Sequence, residues 1–483
     1  MIDDSRIEIT GTDLRCGDVV RVAHRRAWAE LQDDAVTRAD RAHRLAVELG
    51  ATRAVYGRTT GVGANRHTVV DPDAADQHGL RLLRSHAGGT GEPLADDVVR
   101  AAMLIRLNQL AAAGSGVHPR VLRTLETALR VGAVPLVHSR GAIGTGDLTA
   151  LAEIALTLAG EHPWSVGALN PIAISPGDAL AFISSNAATL AEAVLAWHEL
   201  TRVLAASHVV TALSFCALGG SPEAYSERVH AARPHPGSMR CAVEMRRLLG
   251  MDGELTPGQR LQDPFGLRAF PQVQGPALDA AAAVEQVLTI DLNAAAENPL
   301  IDIETEQAYH HGQFSTAHLA LVFDHLRAAL HHVAELSAAR LSDLVEPDLT
   351  GLPAFLAQGP AGSSGIMILE YVAHDALAQL RHAAAPVTLG TAVISRGLED
   401  HASFSTHAIR ATVTATSAYR TVLACELLGA VRALRLAERE LPHTRLRDAY
   451  EHATAALPHI PHDHPLTTEI QQAERILPTL ADS

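Results

Sequence analysis

The sequence predicts an all-α protein, built as a long central helical bundle with a smaller, loop-rich N-terminal domain. Three observations carry this expectation. Hydrophobic residues make up 47% of the 483 residues but aromatics only 4%, so Ala, Leu and Val must fill the interior, and that favours closely packed helices over sheets. From residue 95 onward, apolar residues recur at helical spacing near 95–113, 118–131, 148–160, 177–218, 240–250, 277–297, 315–345, 364–384 and 405–440. The run from Gly177 to Leu218 stops at Gly219-Gly220, a helix-ending signal. Thirty residues of helix span about 45 Å. Several such helices, Ala-rich on more than one side, imply a bundle with further burial between subunits of a symmetric oligomer. We place residues 1–110 in the N-terminal domain and 111–483 in the bundle.

Taken in order, residues 1–50 are mixed, with an amphipathic segment from about Ala23 to Leu49. Next comes Tyr56-Gly57-Arg58-Thr59-Thr60-Gly61-Val62-Gly63, a glycine-rich loop headed by a tyrosine that can swing into a cleft. Arg84-Ser85-His86-Ala87-Gly88-Gly89-Thr90-Gly91 joins two helices. No strand precedes it and no GK[ST] follows, so it is not a nucleotide loop. Arg140-Gly141-Ala142-Ile143-Gly144-Thr145-Gly146-Asp147-Leu148 is the stretch around which the chain is organised. Its glycines permit tight turns with positive φ. Asp147 is placed to cap the apolar helix that follows, whose positive end suits developing negative charge. Further loops punctuate the bundle at Gln262–Arg268, Glu297–Leu300, Gly312–Ser315, Gly359–Gly365 and Arg396–His401, where function usually sits.

Composition narrows the functional classes. A net charge of −15 argues against nucleic acid as a partner. The four cysteines are far apart, without a CxxC pair, which disfavours a disulfide framework. No metal site is expected: His310-His311 and His331-His332 are adjacent pairs whose side chains should diverge. The start, Met1-Ile2-Asp3-Asp4, lacks the features of a secretion signal, and the apolar run Val203–Leu218 contains His208 and is short for a bilayer span. The expectation is a cytoplasmic protein with no membrane partner.

Taken together, the loops resemble the histidine and aromatic amino-acid ammonia-lyase family. The resemblance covers about Tyr56 to Leu436, with motifs in the family's order: Tyr56-Gly57-x-x-Thr60-Gly61-x-Gly63, Ser85-His86-Ala87-x-Gly89-x-Gly91-Glu92-Pro93-Leu94, Gly146-Asp147-Leu148, Gln262-Asp263-Pro264-x-x-Leu267-Arg268-x-x-Pro271-Gln272-Val273, Glu297-Asn298-Pro299-Leu300 and Glu399-Asp400-His401. The resemblance implies an all-helical homotetramer with active sites shared between subunits. It also implies a methylidene-imidazolone (MIO) electrophile, made when an internal Ala-Ser-Gly cyclises and loses two waters. By the same resemblance Tyr56 is the base that removes a β-proton, and Arg268 pairs with the substrate carboxylate through parallel hydrogen bonds. His86, Gln262, Asn298 and Glu399 take substrate-contacting positions, and Phe314 is an aromatic beside the cofactor.

The departures are concentrated at the cofactor. Family members read Gly-Ser-Val-Gly-Ala-Ser-Gly-Asp-Leu, whereas Gly141-Ala142-Ile143-Gly144-Thr145-Gly146-Asp147-Leu148 is one residue shorter. Either the serine is missing, or Gly144-Thr145-Gly146 replaces the triad and any ring would carry an ethylidene. Ser184 stands where the family has an Asn, and Phe265 where it has a Tyr. Ser315 replaces a histidine frequent in histidine-specific members, which makes histidine itself a less suitable substrate. Three readings follow. The first is a lyase that eliminates across Cα–Cβ of a small amino-acid-derived carboxylate, with Tyr56 as base and no functional MIO. The second is an MIO-dependent ammonia-lyase or aminomutase with a Thr145-derived ring. The third is a non-catalytic scaffold or ligand sensor.

Overall fold

The computed structural model describes residues 5–71, 75–175, 177–251 and 260–481. Its helices, in chain order, are α1 (Cys16–Ala23), α2 (Asp33–Thr52), α3 (Ala75–His86), α4 (Asp96–Ala111), α5 (Pro119–Val131), α6 (Leu148–Leu158), α7 (Asp178–Ile183), α8 (Ala187–Leu218), α9 (Glu227–Ala231), α10 (Pro236–Leu249), α11 (Phe265–Arg268), α12 (Phe270–Leu292), α13 (Ala317–Val345), α14 (Pro347–Thr350), α15 (Ile368–Ala383), α16 (Ser405–Ala437), α17 (Arg445–Ala456) and α18 (Thr467–Leu480). Among the described residues, short strands form only two-stranded pairs. One is parallel, β1 (Ser5–Ile9) beside β2 (Ala27–Leu31). The others, among β3 (Thr90–Pro93), β4 (Val134–Pro135), β5 (His138–Arg140), β6 (Trp164–Val166), β7 (Leu300–Asp302) and β8 (Gln307–Tyr309), pair β3 with β5, β4 with β6 and β7 with β8, all antiparallel. The expected helical architecture is therefore present.

The largest departures from the periodicity are two boundaries and the two C-terminal helices, α17 and α18, which fall outside the expected segments. The apolar run expected as one helix over 177–218 is interrupted at Ser184-Ser185-Asn186, between α7 and α8. The side chains there bond to the backbone instead of letting the helix continue: Ser185 Oγ accepts the Ala187 N–H at 3.1 Å, and Asn186 bonds to residues remote in sequence. The helix expected to start near 277 begins at Phe270 and carries Pro276 inside it.

The chain divides into two compact units that interleave in sequence. The sequence reading splits the chain once, at residue 110, whereas each unit draws on three separate segments. Unit 1 comprises Met1–His198, Val284–Phe323 and Pro386–Arg410. At its centre is α4, every residue of which is buried from Val99 to Ala111, packed against α1, α2 and α5. The buried stretch includes Arg106, which donates to Glu297 Oε1 at 2.7 Å and to the Phe182 carbonyl at 2.8 Å. This pair fixes the chain at Glu297, and so sets the position of Asn298. In α6 every residue from Ala150 to Leu158 is buried, which matches its apolar composition.

Unit 2 comprises Glu199–Ala283, Asp324–Ala385 and Ala411–Ser483. Its interior holds a bidentate ion pair with no solvent exposure: Arg340 Nε meets Glu426 Oε1 at 2.6 Å and Nη2 meets Oε2 at 2.8 Å. Ser214 and Ser337 donate to the same carboxylate at 2.7 and 2.6 Å, and Arg340 Nη1 donates to the Gly266 carbonyl at 3.2 Å. Breaking such a pair leaves an uncompensated buried charge. The stretch Asp178–Leu218 is apolar and long enough to cross a bilayer, yet 89% of its most apolar window is buried within protein.

Replacing Glu426 with Gln leaves the Arg340 guanidinium without its counter-charge. The expected result is a loss of about 3–5 kcal/mol in unfolding free energy, measured by urea denaturation. A change within about 0.5 kcal/mol, the size of an ordinary surface substitution, would show that the pair contributes nothing net.

Candidate active site

The glycine loop joins β5 to α6 within unit 1. Gly141, Gly144 and Gly146 take φ values of 143°, 90° and 114°, a region L side chains rarely adopt. At Gly144 space is also lacking: a Cβ there would lie 2.0 Å from Ser403 Oγ. The loop is pinned by groups from three distant segments. Phe404 N–H donates to the Ile143 carbonyl at 2.9 Å. The Gly144 carbonyl accepts from Thr316 N–H at 3.3 Å, Thr316 Oγ1 at 3.2 Å and Ser403 Oγ at 3.4 Å. Gly146 N–H donates to Asn186 Oδ1 at 3.0 Å, and Asn186 Nδ2 donates in turn to the Phe314 carbonyl at 2.7 Å.

Asp147 occupies the N-cap position of α6, but its side chain does not cap that helix. The carboxylate instead accepts from Thr189 N–H at 2.6 Å and Thr189 Oγ1 at 2.7 Å, in the first turn of α8. It thus serves the orphan N–H groups of a different helix. Burial lifts its pKa to about 6, against the opposing pull of the Thr189 donors.

A cavity of about 420 Å³ lies beside this loop's supports. Tyr56, Arg66, His67, Asn298, His310, His311, Phe314 and Glu399 line it. Tyr56 Oη accepts the Gly63 N–H at 2.7 Å, and its ring stands edge-on to His310, 6.4 Å between centroids. Burial raises the phenol pKa. The Gly63 donor and the Arg66 charge pull it down, and Glu399 pushes it further up. Asn298 Oδ1 accepts the His311 N–H at 3.0 Å, while the Asn298 N–H donates to Ser184 Oγ at 3.0 Å. A second cavity of about 430 Å³ is lined by Gln109, Asn186, Asp291, His311, Gln313, Ser315 and Thr316 among others.

The fold therefore gathers four of the residues singled out in the sequence, Tyr56, Asn298, Phe314 and Glu399, on one cavity. Ser184 supports Asn298 from behind. Gly146 connects to the Phe314 carbonyl through Asn186, the Gly144 carbonyl accepts from Thr316 and Ser403, and Thr145 is half-buried between the two glycines. His86 lies outside the residues lining this cavity, and its ring bonds through Nδ1 to the Leu82 carbonyl at 2.8 Å. Gln262, Phe265 and Arg268 belong to unit 2, where they form an exposed group of their own. The Arg268 guanidinium lies 4.9 Å from the Phe265 ring centre, and Nε donates to the Asp263 carbonyl at 3.2 Å. Tyr225 Oη, donating to the Leu267 carbonyl at 2.7 Å, holds this segment in place together with Arg340.

Sequence reasoning missed Arg66, His310 and His311 on the cavity, and Asn186, Thr316 and Ser403 on the loop. His310-His311 was visible as a pair but weighed only as metal ligands, and Asn186, two residues after Ser184, was given no role. Two clusters also escaped it. His138, Glu153 and His162 offer ligand atoms within 4.8 Å of one another, although His138 Nδ1 and its backbone N–H already donate to Glu153 at 3.0 and 2.7 Å. His331 and His332 do not diverge as expected: both reach Glu335, at 3.6 and 3.4 Å.

Comparison with known proteins places this geometry. The family described as aromatic amino acid lyase matches residues 14–456. A histidine ammonia-lyase from Natranaerobius thermophilus is 30% identical over 490 residues, covering 98% of this chain and 96% of its own. Among solved structures, the ergothionase of Treponema denticola, an ergothioneine-degrading enzyme solved with desmethyl-ergothioneine sulfonic acid, superposes with a TM-score of 0.93 at 26% identity and covers 99% of both chains. Tyrosine aminomutase from Streptomyces globisporus gives 0.92 at 25% identity, covering 99% of this chain and 97% of its own. The matched span takes in both the cavity and the glycine loop, and the chain is a member of the aromatic amino acid lyase family, a lyase built on that family's helical fold.

Proposed function

We propose that the protein eliminates an amine across Cα–Cβ of a small amino-acid-derived carboxylate without an MIO group, using Tyr56 as the base. The observation that carries this reading is the loop at Gly144. The family's ring needs Ala-Ser-Gly, and here an alanine Cβ would collide with Ser403 Oγ at 2.0 Å while no serine follows. Residues 144–146 are Gly-Thr-Gly and supply neither the alanine nor the serine of that triad. The proton passes from Cβ to Tyr56 Oη, the C–H pair becomes the new double bond, and the C–N pair departs with nitrogen. Arg268 holds the carboxylate in a homotetramer whose sites are shared between subunits.

With no electrophile to activate nitrogen, the leaving group must be good at the outset. A quaternary ammonium leaves as a neutral amine and needs no activation. The cavity lining suits such a cation: the rings of Tyr56 and Phe314 offer π faces and Glu399 offers a negative charge. The Treponema denticola neighbour, named for degrading ergothioneine, supports a substrate beyond the standard amino acids.

A second reading, a ring derived from Gly144-Thr145-Gly146, is favoured by one feature. The Gly144 carbonyl faces hydroxyl and amide donors and the Gly146 amide has an acceptor, which are the groups a backbone cyclisation uses. Intact-mass measurement separates the two. The unmodified sequence mass supports the ring-free lyase, and a mass lower by two waters establishes the ring.

Two outcomes test the base. Tyr56→Phe should lower turnover by about 10²–10⁴ with an unchanged circular dichroism spectrum; unchanged turnover removes Tyr56 from the chemistry. Because burial raises the phenol pKa above its usual value near 10, the reactive phenolate is scarce at neutral pH. The free-enzyme rate constant kcat/KM should therefore rise about tenfold per pH unit on the alkaline side of neutrality. A flat profile there contradicts a phenol base.

A further inference from the structure

His138, Glu153 and His162 form a side-chain cluster apart from the residues lining the Tyr56 cavity, and the elimination uses none of them. His138 begins β5 and Glu153 lies on α6, so the two flank the glycine loop; His162 follows in the turn after α6. One ligand atom from each lies within 4.8 Å of the other two. Glu153 is 2% exposed, yet among the described residues no arginine meets its carboxylate. Its hydrogen bonds come from His138, through the backbone N–H at 2.7 Å and Nδ1 at 3.0 Å. An imidazole in its neutral form offers only a dipole, whereas buried carboxylates are normally paired with a full charge or bound to a metal. The backbone also makes room here: a Cβ at Gly89 would lie 2.7 Å from Glu153 Oε1 and 3.2 Å from His138 Cβ. Both histidines are half-buried, which leaves an entry path from solvent.

We propose that His138, Glu153 and His162 bind one zinc ion, and that the ion braces the base of the glycine loop. Two imidazole nitrogens and a carboxylate oxygen are a zinc donor set, with water completing the tetrahedron. On binding, the His138 ring hydrogen shifts to Nε2, and Nδ1 and Glu153 Oε1, 3.0 Å apart, turn their lone pairs to the ion. A tetrahedral zinc holds its ligands about 3.4 Å apart, so this pair is already near the required spacing. Rotation of the half-buried His162 ring closes the remaining gap. Thr157 Oγ1, 3.4 Å from His162 Nδ1, ties that ring to α6. The ion would join residues 138 and 153 across the loop, which removes freedom from the segment between them. The inference is independent of the elimination reading, since none of the three side chains takes part in it.

The test is zinc binding to the full chain after chelator treatment and dialysis, measured by competition with a chromophoric chelator. Wild type should bind zinc with a Kd of about 1 µM or tighter. His162→Ala and Glu153→Gln should each weaken that binding by at least about 100-fold, because loss of even an outer partner costs about 10–100-fold. Zinc should also raise the thermal midpoint of the wild type and leave that of His162→Ala where it is. The exposed grouping of His331, His332 and Glu335 is the control: replacing both its histidines with alanine should leave the tight equivalent in place. No tight zinc in the wild type overturns the proposal, as does zinc that survives in His162→Ala or disappears with His331 and His332. Should Glu153→Gln fail to fold, His162→Ala and His138→Ala decide.

Discussion

The hydrogen bonds that fasten residues 143–147 are the constraint on which the rest of the site depends. They come from the 185–186 pair, Thr189, Thr316 and the 403–404 pair, each far away in sequence. A glycine loop with three residues at positive φ pays heavily in chain entropy and would not hold one shape alone. Each neutral bond contributes about 1 kcal/mol net and each bond to the Asp147 carboxylate about 1.5–3 kcal/mol, so the set together can hold the loop. The fastening also transmits position. Asn186 spans from Gly146 to Phe314, so any shift of the loop moves a wall of the Tyr56 cavity.

Both units bury an ion pair, Arg106 with Glu297 in unit 1 and Arg340 with Glu426 in unit 2. Unit 2 buries a complete ion pair, Arg340 with Glu426, whose donors and acceptors are nearly all matched, and uses it to hold the segment carrying Arg268. Unit 1 keeps its cavity short of counter-charges: Glu399 faces Tyr56 with only the exposed Arg66 to offset it. Burial, reinforced by the Glu399 carboxylate, makes the Tyr56 phenol hold its proton more tightly than it would in water. The Arg268 guanidinium, stacked over Phe265 and bonded to one carbonyl, retains donors for a carboxylate.

Much of the helical architecture was legible in the sequence, because the 3.6-residue period reports directly which faces are buried. It was legible even in α4, where Arg106, Asn108 and Gln109 are buried among apolar neighbours. The break at Ser184–Asn186 was not legible, since composition there is compatible with helix and only the pull of remote partners ends it. The same limit applies to the site. Tyr56, Asn298, Phe314 and Glu399 could be found from motifs, whereas Ser403, Thr316 and His311 act through contacts that no local pattern records. Asp147 shows the limit most clearly: its position was right and its partner wrong, because the carboxylate serves a helix beginning forty residues later.

The crowding at Gly144 constrains which substitutions the loop can accept. Alanine at 144 would force the Ser403 hydroxyl aside, because a Cβ there would lie 2.0 Å from Oγ. Residue 403 would have to move or change at the same time, and its hydroxyl is itself one of the groups holding the Gly144 carbonyl. Residues 144 and 403, far apart in sequence, are thereby coupled: a side chain at 144 displaces the hydroxyl that now holds the 144 carbonyl.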